Sequence, residues 1–259
     1  MLELPMKDLD LYKENLMKRK QTFQIEIKRN EKNIMINGKK VVKLKQRNTI
    51  TPLSKDESSK VLNLFASVKK SVNNYIKHND FKIPKTAKQY DSSYRNYNLF
   101  NEIPIDTEFY YVDVKHCYWR IAYITGIISP FLYNKILNQP EMKLWRNMAL
   151  SCIIAPRQVE YYSGGDKLNT IIEDVSLYET IYENIRYFSW NIFGNLCFEK
   201  IGKDRCIGYF TDGIMIFEDD LAKVKTVLAR HKLPYRIMTC KKTNHREFVI
   251  LDDGQLRKF

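Results

Sequence analysis

Two apolar runs, Cys206-Ile-Gly-Tyr-Phe210 and Ile214-Met-Ile-Phe217, flank Thr211-Asp212-Gly213. Continuous apolar text of this length around an Asp-Gly turn reads as a hairpin whose strands are buried on both faces. Such strands belong inside a packed sheet. A third run, Phe109-Tyr-Tyr-Val112, ends on Asp113 and passes at once into helix-like text, with Tyr118 five residues after the acid.

The text around these runs sets the class. Residues 1–20 read as a charged amphipathic helix. From Thr22 to Lys45 apolar and polar residues alternate around Asn37-Gly38, a strong hairpin signal. Residues 55–78 carry apolar side chains at helical spacing, with Ser54 or Asp56 as the cap. Residues 79–105 are polar and rich in Tyr and Asn, and read as a loop or linker. After the strand ending at Asp113 come helical text to about Ile128 and two more helices punctuated by Pro130 and Pro140. The loop Tyr161-Tyr-Ser-Gly-Gly-Asp-Lys167 leads into a helix expected over roughly 168–196. The buried hairpin, a charged helix over 219–231 and two closing strands complete the chain. This order of elements predicts an α+β domain built on an antiparallel sheet.

Charge divides the chain differently. Residues 1–100 hold 22 Lys+Arg against 10 Asp+Glu, and residues 101–259 hold 21 against 20. That asymmetry predicts a basic N-terminal module, residues 1–100, that meets a polyanion such as DNA, before a second domain over 101–259. A merely solvated basic surface is the alternative. The five cysteines include no CxxC pair and are odd in number, which predicts reduced thiols. No apolar run is long enough for a membrane span, and the N-terminus lacks a leader's apolar stretch. The expectation is a protein of the cytoplasm, or of a host's cytoplasm if viral, with no membrane partner.

Asp113 and Asp212 each have an ordinary reading, as a helix cap and as a hairpin turn. Together they say more. Both end apolar strands that can be neighbours, so both can project from one sheet edge. Carboxylates so placed repel unless a cation lies between them, which is the arrangement of two-metal phosphoryl transfer. Between them in sequence, Lys143, Arg146 and Asn147 share one helical face. The two cations there could meet a triphosphate and Asn147 could offer a hydrogen-bonding edge, or the face could simply be solvated.

In order, these segments resemble the three polymerase motifs of family B DNA polymerases. Asp113-Val-Lys-His-Cys-Tyr118 keeps the acid and tyrosine of motif A. Lys143-Leu-Trp-Arg-Asn147 keeps the lysine and asparagine of motif B without its Tyr-Gly. Phe210-Thr211-Asp212-Gly213 keeps the second acid of motif C and replaces the first with Phe210. The resemblance covers residues 105–250 and implies a palm-like antiparallel sheet with packed helices, minimal fingers and no exonuclease.

It also implies roles. Asp113, Asp212 and the Val114 carbonyl would bind Mg²⁺, with Mn²⁺ able to substitute. Tyr118 would lie beneath the sugar and exclude a 2′-hydroxyl. Lys143 would hold the phosphates and protonate the leaving pyrophosphate, and Asn147 would line the nucleotide pocket. The substrates would be dNTPs and a DNA 3′ end, single-stranded or primed, in low-processivity or priming synthesis. Tyr90, Tyr94 and Tyr97 could stack on bases or serve ordinary packing. The alternative is a catalytically inactive, palm-derived nucleic-acid-binding protein, for which the absent motif C acid speaks. A metal-dependent nuclease would use the acids but not Tyr118, Lys143 and Asn147.

Overall fold

A computed structural model of the chain describes residues 2–5, 9–28, 31–45, 55–78, 90–154 and 158–259. It is an α+β protein whose chain divides into two compact units.

The first unit comprises residues 1–65 and 151–179. Its strands are β1 (Leu2–Pro5), β2 (Phe23–Lys28), β3 (Glu31–Ile36), β4 (Lys39–Lys45), β7 (Gln158–Ser163) and β8 (Asp166–Ile172), with helix α1 (Leu9–Lys18). They form one sheet in the order β1-β4-β3-β2-β7-β8, parallel only where β1 meets β4. The Asn37-Gly38 hairpin forms as expected, with φ of 50° and 71°, the positive pair that a tight right-twisted hairpin demands. Leu9, Leu16, Phe23, Ile25, Ile34 and Tyr162 close the core. Within it the Phe23 and Tyr162 rings stack at 4.6 Å.

Two expectations need correction here. Residues 1–20 are not one helix: Leu2-Glu3-Leu4 alternates with a period of two, pairs with β4, and α1 starts only at Leu9. Nor does a helix run over 168–196. Leu168, Ile171 and Ile172 have the spacing of a helix face, yet they lie on β8 with their side chains exposed. Pairing with β7 overrides their local periodicity. The helix, α7 (Ser176–Asn195), begins where the Asp174 carboxylate accepts from the Ser176 amide at 2.9 Å.

The second unit comprises residues 66–150 and 180–259. It holds β5 (Tyr94–Arg95), β6 (Glu108–Val114), β9 (Gly208–Phe210), β10 (Gly213–Ile216), β11 (Tyr235–Asn244), β12 (Glu247–Ile250) and β13 (Gln255–Lys258). All pair antiparallel, in the order β13-β12-β11-β6-β10-β9-β5. Its helices are α3 (Tyr97–Glu102), α4 (Cys117–Ile124), α5 (Pro130–Leu137), α6 (Lys143–Cys152) and α8 (Leu221–Arg230). The unit boundaries fall within α2 (Lys55–His78), near the end of α6, and within α7, the last continuing as a π-helical stretch, Leu196–Gly202. Helix α2 has the expected limits, whereas its proposed caps, Ser54 and Asp56, have side chains outside the described residues.

One face of this sheet carries Phe109, Met215, Met238, Phe248 and Ile250, covered by Phe100 and Ile103. Phe259 stacks on Phe100 at 3.9 Å and so ties the C-terminus to α3. Lys242, only 1% exposed, has its ammonium in this core. It is satisfied there because Nζ donates to the Phe100, Asn101 and Ile103 carbonyls, the ones that the end of α3 leaves open.

The expected division at residue 100 does not hold. The N-terminal sheet is completed by β7 and β8 from the middle of the chain, and residues 66–100 belong to the second unit. The charge moves with the boundary. The first unit holds 17 Lys+Arg against 13 Asp+Glu, and the second 26 against 17. The larger positive excess therefore lies with the unit that carries the strand-end acids.

Candidate active site at two strand ends

The central strand β6 brings the first acid to the site. Asp113 is paired in register with Gly213 on β10 and with Arg236 on β11. The turn that follows β9 holds Asp212, whose carbonyl accepts from the Val114 amide at 2.8 Å. Asp113 thus lies near the end of β6 and Asp212 in the turn that leads into β10, the neighbour of β6, and both line the same cavities. One, of about 350 Å³, is bounded by Asp113, Val114, His116, Tyr118, Lys143, Asp212 and Arg236. The other, of about 550 Å³, shares Asp113, Lys143, Asp212 and Arg236 and extends past Tyr111 and Phe210 to Arg257 on β13.

The turn is held from behind. Ser189 on α7, fully buried, donates to the Thr211 carbonyl at 2.5 Å and lies 3.2 Å from the Cys117 thiol. Gly213 is required by packing: a Cβ there would come within 2.5 Å of the Tyr111 ring. The ring in turn meets Phe210 edge-on at 6.3 Å. Phe210 is a wall of the larger cavity.

The electrostatics of the pair are set first by burial. Burial raises the Asp113 pKa above the ordinary carboxylate value, against the lowering effects of Arg236 and Lys143. Burial raises Asp212 as well, and the charge of Asp113 adds to it. Arg236 Nε donates to Asp113 Oδ2 at 2.8 Å. Thr211 Oγ1 donates to Asp212 Oδ1 at 3.4 Å, a long and weak bond. For both acids burial outweighs the lowering influence of the neighbouring cations and donors.

Whether this donor set suits a cation can be tested on its chemistry. Among the described residues no group of three or more His, Cys, Asp and Glu side chains is placed to hold a metal. Two carboxylates together with main-chain, solvent or substrate oxygens would form a hard site of the Mg²⁺ or Mn²⁺ kind. The soft atom nearby, the Cys117 sulfur, is held as a thiol, its pKa pushed up to about 12 chiefly by burial. The residues fit a hard divalent ion.

The other expected residues are only partly brought together. Lys143 starts α6, is exposed, and lines both cavities. Tyr118, on α4, lines the smaller cavity, and burial raises its hydroxyl pKa. Asn147 lies on α6, but its side chain is outside the described residues. Arg146 departs from expectation. It is 2% exposed, and its Nη1 donates to the Ile136 carbonyl at 3.2 Å and to the Leu137 carbonyl at 3.4 Å. Its Nη2 lies 3.1 Å from His116 Nδ1. A guanidinium committed to these carbonyls braces α5 and His116 and is not offered to a phosphate.

Tyr90 and Tyr94 also turn inward. Tyr90 stacks on Phe198 at 5.7 Å, and Tyr94 packs against Phe198 and Tyr209. Tyr97 is 53% exposed. The cysteines are free as expected, four of them buried and Cys152 partly so. No helix among the described residues is long and apolar enough to cross a membrane.

Two site residues escaped the sequence reading. Arg236 lies 123 residues from Asp113 and meets it only through strand register. His116 caps α4 in the left-handed region, at φ 55° and ψ 40°. That conformation is strained for a residue with a Cβ. Burial, with the charges of Arg146, Lys143 and Lys115, lowers the His116 pKa and favours a neutral ring. Compared with family models, characterised proteins and solved structures, the chain matches none.

Proposed function

We propose that the protein is a minimal, metal-dependent nucleotidyltransferase, resembling a reduced family B DNA polymerase palm, that adds nucleotides to a DNA 3′ end. One observation carries this reading: two partly buried carboxylates, one near the end of β6 and one in the turn before its neighbour β10, both raised in pKa chiefly by burial, border one cavity with Lys143 and Tyr118.

In this reading Asp113 and Asp212, aided by the Val114 carbonyl, hold Mg²⁺, or Mn²⁺ in its place. Bound there, the ions would activate the strand's 3′-hydroxyl and offset charge on the leaving pyrophosphate. Lys143 draws the triphosphate to the cavity rim and supplies a proton to the departing pyrophosphate. Tyr118 lies beneath the sugar and rejects a 2′-hydroxyl, and Asn147 lines the nucleotide pocket. The positive excess of both units supplies sequence-independent affinity for the DNA backbone. The inactive-binder reading leaves two partly buried acids at one cavity without a purpose.

The test is incubation with Mg²⁺ or Mn²⁺, labelled dNTPs and primed or single-stranded DNA, followed by sizing of the products. A ladder of extended strands is expected. Shortened strands would indicate a nuclease, and a mobility shift without any product would indicate a binder. Either outcome would overturn the proposal.

A further inference from the structure

The established geometry leaves Arg236 half spent. Its Nε is committed to Asp113, whereas no partner is found for its two Nη groups among the described residues. Its side chain is 55% exposed and that of Asp113 15%, so the guanidinium sits at the open side of the pair. It borders both cavities, and its charge also acts on Asp212. Arg146 is the contrast, since both its Nη groups have partners and it is buried. A planar fork with free N–H groups is suited to binding phosphate oxygens in pairs.

We propose that Arg236 is an exchangeable counter-ion. It holds Asp113 while the site is free of metal, gives up the carboxylate when a divalent cation binds, and then receives the phosphates of the incoming nucleotide. Cation and carboxylate partner compete for the same Oδ2, so Arg236 weakens cation binding. The same side chain, released, strengthens triphosphate binding. The assignment of the anion as a nucleoside triphosphate rests on the function proposed above.

The two effects have opposite signs, and that makes the role separable from a structural one. Mn²⁺ alone is titrated into wild type, Arg236→Gln and Arg236→Lys by calorimetry or electron spin resonance. dATP is then titrated at saturating Mn²⁺, with a melting curve for each protein. Arg236→Gln should bind Mn²⁺ about tenfold tighter and dATP about tenfold weaker, on the scale of one charge-assisted hydrogen bond. Arg236→Lys keeps the charge without the fork. It should hold Mn²⁺ affinity within about twofold of wild type and still lose dATP affinity.

Equal Mn²⁺ affinity in wild type and Arg236→Gln, a fall in both affinities together, or no Mn²⁺ binding by any of the three would overturn the inference. Primer extension by the wild type, measured separately, reports on the polymerase reading. Opposite-signed shifts without extension would uphold the counter-ion exchange and remove the polymerase. Extension with unchanged Mn²⁺ affinity would do the reverse.

Discussion

Each unit carries carboxylates at a sheet, and the two sheets treat them in opposite ways. In the first unit Glu160 on β7 accepts from Lys167 Nζ at 2.8 Å, Tyr162 Oη at 2.8 Å and Gln158 Nε2 at 3.1 Å. Burial pushes its pKa up, but the bonds from Lys167 and Tyr162 and the charges of Lys167 and Lys13 override this and leave it below the ordinary value. In the second unit Asp113 and Asp212 have fewer donors and each other as neighbours, and both pKa values are raised. A carboxylate that the fold satisfies contributes to stability. A pair that the fold crowds together and leaves partly unmatched costs stability, and makes sense as a place prepared for something else.

The largest expected effect separates the two regions by activity. If the proposed function holds, Asp113→Asn and Asp212→Asn should each lower nucleotide incorporation by a factor on the order of 10³ or more, since each removes a charge on which the proposed metal site depends. Glu160→Gln should leave incorporation within about twofold. Loss of activity in Glu160→Gln equal to that of the Asp variants would erase the distinction between the sheets.

Next in size is the sugar selectivity of Tyr118. Tyr118→Ala should accept rNTPs markedly better, because the mutation opens space beneath the sugar and leaves both acids in place. If Tyr118 serves only packing, the same change should destabilise the fold by roughly 3–5 kcal/mol and depress incorporation of both sugars alike. Parallel dNTP and rNTP assays beside a melting curve distinguish these outcomes.

Stability should then move in opposite directions. Glu160→Gln should cost about 1–3 kcal/mol, as expected when a charge-assisted bond is weakened. Asp212→Asn should stabilise at neutral pH by on the order of 1 kcal/mol, by removing a charge that burial and, after it, Asp113 disfavour. The pH signs follow from the shifts. Glu160, lowered on folding, contributes stability above its unfolded pKa that is lost as pH falls through its folded pKa. Asp212, raised on folding, contributes stability below its unfolded pKa that is lost as pH rises through its folded pKa. Denaturant titrations of both variants across pH 3–7 check this, and a gain from Asp212→Asn that grew on acidification would contradict it.

The smallest effect concerns the DNA backbone. Removing one contacting Lys or Arg should flatten the log–log salt dependence of DNA affinity by about 0.7–0.9. Because the second unit holds the larger excess, charge removal within 66–150 and 180–259 should matter at least as much as removal within 1–65 and 151–179. Equal slopes for every variant would mean that neither excess meets DNA.

What could be read from the chain follows the range of the interactions. The Asn37-Gly38 hairpin, α2, and both apolar runs around Asp212 are set by neighbours within a few residues, and they are where they were expected. Strand-end position also sufficed to bring Asp113 and Asp212 together. Non-local pairing was invisible. β7 joins β2 across more than a hundred residues, and β8 has helical spacing that only its pairing overrides. Helical periodicity put Lys143 and Arg146 on one face but could not tell that the second would be buried among carbonyls. Arg236 carried no local signal at all, because its meaning lies in the register of β11 against β6.

The central claim is that Asp113 and Asp212 are crowded for the sake of a cation, and thermal unfolding with and without Mn²⁺ at pH 7.5 tests it most directly. A ligand that binds only the folded state stabilises it by about 2.7 kcal/mol at a hundredfold excess over its dissociation constant. The account predicts that saturating Mn²⁺ raises the melting temperature of wild type and of Glu160→Gln, and that Asp113→Asn and Asp212→Asn lose most of that rise. An unchanged wild-type melting temperature, or an equal rise in all four proteins, would contradict it.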